Sequence, residues 1–237
     1  MTAPNNDNLA ILIDADNAQA SPIHELLEEV SRYGTASVKR AYGDWSTPQL
    51  KKWKEELHTH AIKPVQQFSY TKGKNATDSA LIIDAMDLLH TGDLNGFCLV
   101  SSDSDFTPLA TRIRESGLVV YGFGERKTPQ PFVAACDKFI YTDILKPPKT
   151  KGTDRRPKLP SPKKKLLEAI DKAAGDDGWA NLGTVGSMLV KNDPSFDSRN
   201  YGFRKLIELV NEQPYLEVRK EKSGSGAGGT TISVRLK

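Results

Sequence analysis

The sequence predicts an α/β fold: a parallel sheet with helices on both faces over residues 1–145, followed by a small C-terminal winged-helix domain. Three observations predict it. Short uninterrupted apolar runs alternate with capped amphipathic segments, the pattern of strands buried on both faces and joined by helices. A basic, proline-rich stretch breaks the composition at 146–162. Beyond it the order changes to three helical segments and then two alternating strands.

Each element follows from local chemistry. Leu9–Ile13 is a fully apolar strand. Ser21 and Pro22 read as an N-cap and a first-turn proline, opening a helix that runs to Tyr33 and stops at Gly34. Ala36–Tyr42 is the second strand. Thr47 and Pro48 repeat the capping device before a charged helix ending near His60. Ile62–Phe68 is a third strand, which Pro64 either weakens or places at a sheet edge. Thr77–His90 is a helix with Leu81, Ile82, Ala85, Leu88 and Leu89 as its apolar stripe. Phe97–Val100, Val119–Phe123 and Phe139–Tyr141 complete the strands, with helices at Thr107–Ser116 and Pro131–Cys136 between them. Residues 146–162 hold Pro147, Pro148, Pro157, Pro160 and Pro162 among lysines and arginines, which makes an extended linker. In 163–237, helices at Lys163–Ala174, Asn181–Val190 and Ser198–Asn211 precede a hairpin of Tyr215–Lys220 and Thr231–Leu236 around a glycine-rich tip.

Bulk properties exclude several classes. The 237 residues are 38% hydrophobic and 27% charged, which suits a packed globular chain rather than a disordered one. No apolar run is long enough to span a bilayer, and the first residues lack the segments of a secretory signal, so a cytoplasmic location is expected with no membrane partner. Cys98 and Cys136 read as packing residues, and the four histidines lack zinc-ligand spacing. The net charge of +3 hides an asymmetry: residues 1–145 carry 14 Lys+Arg against 19 Asp+Glu, residues 146–237 carry 19 against 11. A basic second half suggests nucleic acid as partner. An acidic first half fits such a partner only where acids hold metals.

The acids lie where strands end. Asp14 and Asp16 close the first strand, Asp103 and Asp105 follow the fourth, and Asp78 opens a helix. In a parallel sheet the strand C-termini share one edge, and ligand crevices form outside it. Acids distant in sequence therefore meet in one pocket, a hard oxygen site suited to Mg²⁺ or Mn²⁺. Such a site serves phosphodiester cleavage without a nucleophilic side chain. Asp44, after the second strand, either joins this cluster or caps a turn. Asp84 lies about 120° around the helix from Asp78 and is either a further ligand or a surface acid. Lys74 precedes Asp78, and Ser101 and Ser102 flank Asp103, where they offer donors to phosphate. Trp45 and Tyr70 are candidates to stack on unpaired bases.

Ile13-Asp14-Ala15-Asp16-Asn17, Lys74-Asn75-Ala76-Thr77-Asp78 with Asp84, and Ser101-Ser102-Asp103-Ser104-Asp105-Phe106 together resemble the NYN domains, relatives of the PIN-like ribonucleases. The resemblance covers Leu9 to Leu145. The segment after the linker is similar to the OST-HTH/LOTUS winged-helix modules. These resemblances imply a PIN-like sheet, metal-dependent endonuclease chemistry on RNA, and an RNA- or protein-binding C-terminal domain. They imply Asp14, Asp78 and Asp103 as metal ligands. Asp105 completes the second acid pair or caps the next helix, Asp16 binds metal through water or fixes the turn, and Asn17 orders the loop or contacts phosphate. In the C-terminal domain, Arg199, Arg204 and Lys205 are placed at the start of the recognition helix as phosphate contacts. The leading expectation is an endoribonuclease acting on single-stranded RNA. Its rivals are a non-catalytic RNA-binding or adaptor protein and an aspartate-nucleophile phosphatase, which Asp14-Ala15-Asp16 imitates.

Overall fold

The computed structural model describes residues 7–68, 76–145, 160–222 and 230–237. By internal contacts the chain divides into two units, Met1–Pro147 and Pro148–Lys237. Lys72, Lys74, Tyr70, most of the linker and the glycine-rich tip lie outside the described residues.

In the first unit, six strands form one parallel sheet: β1 Asn8–Asp14, β2 Thr35–Gly43, β3 Lys63–Gln66, β4 Gly96–Val100, β5 Val119–Gly124 and β6 Lys138–Tyr141, in the order β3-β2-β1-β4-β5-β6. Every strand pair is parallel because a helix or a longer crossover returns the chain each time. Pro64 sits in β3 at the sheet edge, where a missing N–H costs no ladder bond. The order reverses between β1 and β4, and that switch point opens a crevice at the strand C-termini.

Alternation along β1 divides the core. Leu9, Ile11 and Ile13 pack against α1 (Ile23–Val30) and α2 (Lys51–Thr59) through Leu26, Val30, Trp53 and Leu57. Ala10 and Leu12 face the other way, toward α3 (Ala76–Thr91), α4 (Thr107–Glu115) and α5 (Gln130–Ala135), through Leu81, Ala85, Leu109, Ile113 and Phe132. Truncating a fully buried leucine such as Leu12 to alanine costs ~2–5 kcal/mol. Cys98 and Cys136 are free, buried thiols in this core.

The two capping expectations have different outcomes. Ser21 does not cap α1; a turn precedes the helix, in which the Ile23 N–H donates to the Ala20 carbonyl at 3.1 Å. Thr47 holds the N-cap position, extended and followed by Pro48 as expected, but its side chain makes no capping bond: its hydroxyl donates to the Asp44 carbonyl at 2.8 Å, and the helix opens with a 3₁₀ turn at Pro48–Leu50.

The second unit holds α6 (Lys163–Ala173), α7 (Leu182–Asn192), α8 (Leu206–Asn211) and a small antiparallel sheet. Its strands are β7 (Ala180–Asn181), β8 (Leu216–Lys222) and β9 (Thr230–Leu236), ordered β7-β9-β8. Leu166, Ile170, Val185, Leu189, Leu209 and Val234 form its core. Asn181 caps α7, its side-chain oxygen accepting from Gly183 N at 2.9 Å. The helix expected at Ser198–Asn211 is interrupted. Asp197 caps a 3₁₀ turn at Ser198–Tyr201, and Gly202 at φ +90° ends it, a left-handed conformation that favours glycine. The chain becomes α-helical again only at Leu206. Among the described residues no helix is long and apolar enough to cross a membrane.

Candidate metal centre

The crevice at the switch point gathers acids from three segments. Asp14 is the last residue of β1, Asp103 and Asp105 follow β4, and Asp78 lies in the first turn of α3. One carboxylate oxygen from each of Asp78, Asp103 and Asp105 lies within 4.8 Å of the other two. Asp78 is buried, Asp103 half-buried and Asp105 exposed, so the set opens from the fold toward solvent. Burial and the charges of Asp14, Asp103, Asp105 and Asp16 push the Asp78 carboxyl up to about 6. Among the described residues no lysine or arginine pairs with Asp78 or Asp103. Excess negative charge in a half-enclosed oxygen pocket fits a hard divalent cation, which prefers oxygen donors and compensates that charge.

Asp14 stands outside this set of mutual distances. It is fully buried, and both its oxygens accept hydrogen bonds: Oδ2 from Ser101 Oγ at 2.7 Å and Asn17 Nδ2 at 2.9 Å, Oδ1 from Asn17 N at 3.2 Å. Burial raises its pKa against the opposing effect of those hydrogen bonds. The β1–β4 register sets this contact, since Ile13 faces Val100 and the next residues are Asp14 and Ser101. Ser101 Oγ also accepts from Asp103 N at 3.1 Å, so one buried hydroxyl ties both strand-end acids together. Gly124 makes room there; a Cβ on it would lie 2.6 Å from the Ser101 carbonyl oxygen. Ser102 Oγ accepts from Glu125 N at 2.9 Å.

The capping question at the second acid pair resolves by division of labour. Asp103 Oδ1 accepts from Asp105 N at 2.9 Å and caps the 3₁₀ turn Ser104–Phe106 that leads into α4. Asp105 is thereby turned toward Asp103 and Asp78. Asp16 accepts from Thr77 Oγ1 at 2.8 Å, which pins the β1 turn to the start of α3. Thr77 was not singled out in the sequence, although its place beside Asp78 in a helix first turn was a signal for it.

Two acids go elsewhere. Asp84 accepts from Arg40 Nη1 and from the hydroxyl of the fully buried Tyr42, which occupy its two oxygens. It is not in the cluster, as its angular offset from Asp78 suggested. Asp44 Oδ1 accepts from Ser46 N at 3.2 Å, Ser46 Oγ at 2.6 Å and Gln66 Nε2 at 3.0 Å, a turn cap that also holds β3. Trp45 is half-buried and donates Nε1–H to the Val65 carbonyl at 3.0 Å.

In the second unit, Arg199 is folded back on Asp197: Nε donates to Oδ1 at 3.0 Å and Nη2 to Oδ2 at 2.7 Å. The fork expected to meet phosphate is thus engaged by a neighbouring carboxylate, because the 3₁₀ turn places the two side by side. Arg204 and Lys205 are exposed.

Comparison with known protein families agrees with this geometry. The NYN-domain model matches residues 8–145. The chain belongs to the NYN family. The OST-HTH/LOTUS domain follows at residues 157–227. NYN domains are PIN-like nucleases, and OST-HTH domains bind RNA. No curated relative matches. Among solved structures, the chain is similar to a protein of unknown function from Vibrio parahaemolyticus, at 20% identity over 59% of this chain and 94% of that one, with a TM-score of 0.49. An uncharacterised protein from Nitrosomonas europaea matches at 32% identity over 39% of this chain and 90% of its own, TM-score 0.31. A Chromobacterium violaceum protein matches at 38% identity over 33% and 83%, TM-score 0.27.

Proposed function

We propose that this NYN protein is a cytoplasmic, metal-dependent endoribonuclease that cuts single-stranded RNA in the crevice at the β1–β4 switch point, with its OST-HTH domain holding the substrate. The observation that carries the reading is the convergence of Asp78, Asp103 and Asp105 within 4.8 Å. These three side chains would hold Mg²⁺ or Mn²⁺, which when bound supplies Lewis acidity and an activated water. Asp14, held by Ser101 and Asn17, and Asp16 are assigned as further metal-holding acids beside these three. Ser101 keeps the β4 acids in register with β1. Lys74 and Ser102 are assigned to the scissile phosphate. Arg204 and Lys205 are assigned to the RNA backbone, and the linker raises the effective substrate concentration at the crevice. Two buried, unpaired thiols suit a reducing cytoplasm.

Incubation of the full chain with end-labelled single-stranded RNA in Mn²⁺, Mg²⁺ or EDTA tests the reading. Internal cleavage with a divalent ion and none in EDTA is expected. Cleavage that persists in EDTA overturns the metal mechanism. Binding without cleavage selects the adaptor alternative, and hydrolysis of small phosphomonoesters without RNA cleavage selects the phosphatase.

A further inference from the structure

Beside the acid cluster lies an open groove of about 540 Å³ whose rim includes Asp78 and Asp105. Its remaining walls are of two kinds. Ser79 and Ser104 contribute hydroxyl side chains, while Ile82, Pro108 and Pro131 contribute apolar surface. No lysine or arginine lines it among the described residues. We propose that this groove is a nucleoside subsite, which takes the sugar and base of the nucleotide next to the scissile phosphate. The inference rests on the nuclease reading and names the part of the substrate that the groove selects.

The lining decides the ligand class. A second phosphate at this place would face two carboxylates and no cation. A nucleoside is uncharged, offers a flat apolar face to Ile82 and the proline rings, and carries hydroxyl and base-edge groups that suit the Ser79 and Ser104 side chains. The volume falls in the range of small-molecule sites, and the open side lets a polymer enter and leave.

The test uses the full chain and single-stranded RNA oligonucleotides cleaved at one bond, with an abasic residue placed in turn on each side of that bond. One abasic position is expected to raise KM about 10-fold, as loss of one stacked base does. Ile82→Trp and, independently, Pro108→Trp fill the groove. Each is expected to raise KM for intact RNA about 10-fold, to leave kcat and Mn²⁺ affinity within about twofold, and to abolish the abasic effect. Using both variants guards against a packing defect at Ile82, and a thermal melt identifies one. If the wild type cleaves RNA and neither variant moves KM, the groove is not a subsite while the nuclease reading stands. A wild type that cleaves nothing in Mn²⁺ or Mg²⁺ removes both.

Discussion

One helix carries two aspartates with opposite surroundings. Asp78, in the first turn of α3, faces Asp103 and Asp105 and is driven toward its neutral form by burial and like charge. Asp84, six residues on, faces a guanidinium and a phenol that together consume its oxygens. The first acid is held in an arrangement that costs stability until a cation arrives. The second is compensated within the fold and joins β2 to α3. An aspartate's role here is thus set by what the sheet presents to each face of the helix. The switch-point crevice lies at one face, and Arg40 and Tyr42 of β2 at the other.

The largest expected effect breaks the first half of this contrast. Asp103→Asn should lower RNA cleavage by at least ~100-fold, beyond the loss seen when only a ligand's supporting partner is removed, and should weaken Mn²⁺ binding measured by calorimetry. The thermal melt of the metal-free protein should not fall. Cleavage unchanged in this variant would identify a contaminant or another mechanism.

Asp84→Ala should act in the other direction, on stability rather than chemistry. Removing the shared acceptor strands the Tyr42 hydroxyl and the Arg40 guanidinium, at a cost of ~1–3 kcal/mol in denaturant unfolding of the first unit. Mn²⁺ affinity should hold at the wild-type level. A loss of Mn²⁺ affinity without a loss of stability would place Asp84 in the metal site and dissolve the contrast.

Titration sharpens the comparison further. Asp78 has a folded pKa of about 6, above its value of 3.8 in the unfolded chain, so the folded state binds more protons between those limits. The metal-free first unit should therefore lose stability as pH rises from about 4 to about 6, the sign opposite to that of an ion-paired carboxylate. Asp78→Asn should flatten this slope, and Mn²⁺ at 100 times its Kd should add ~2.7 kcal/mol at neutral pH. Melts of wild type and variant across pH 4–8, with and without Mn²⁺, measure all three.

The smallest effect lies in the second unit, where the same logic separates a compensated arginine from open cations. Arg199→Ala should leave the salt dependence of RNA binding unchanged, since Asp197 already holds its fork. Arg204→Ala or Lys205→Ala should each reduce the slope of log K against log salt by about 1 if the side chain contacts a phosphate. Fluorescence anisotropy at several salt concentrations distinguishes these outcomes.

Much of the fold was legible in the chain. The five-residue run Leu9–Ile13 is apolar on both faces, which only a strand between two helical layers tolerates, and Pro64 marked the edge strand because it has no N–H to donate. The gathering of acids was legible for a topological reason, as residues after parallel strands share one sheet edge. Less visible was the division of roles among them. Asp14 sits first in order along the chain yet is the most enclosed, because the β1–β4 register brings Ser101 directly beneath it. The break at Gly202 was also missed. Its neighbours Ser198–Lys205 have acceptable helix propensity, and only the capping of the turn by Asp197 and the left-handed φ of the glycine decide against a continuous helix.

Composition and pattern alone thus determined the α/β sheet, the basic second half and the set of acids near one edge, because hydrophobic period and strand-end position are properties of local sequence. Tertiary structure decided which acids face one another, which are bound by Arg40, Tyr42, Ser101 or Gln66, and where a groove opens beside them. Those outcomes depend on strand register and helix rotation. They are fixed only when distant segments pack, and electrostatic environment changes over the few ångströms that packing sets.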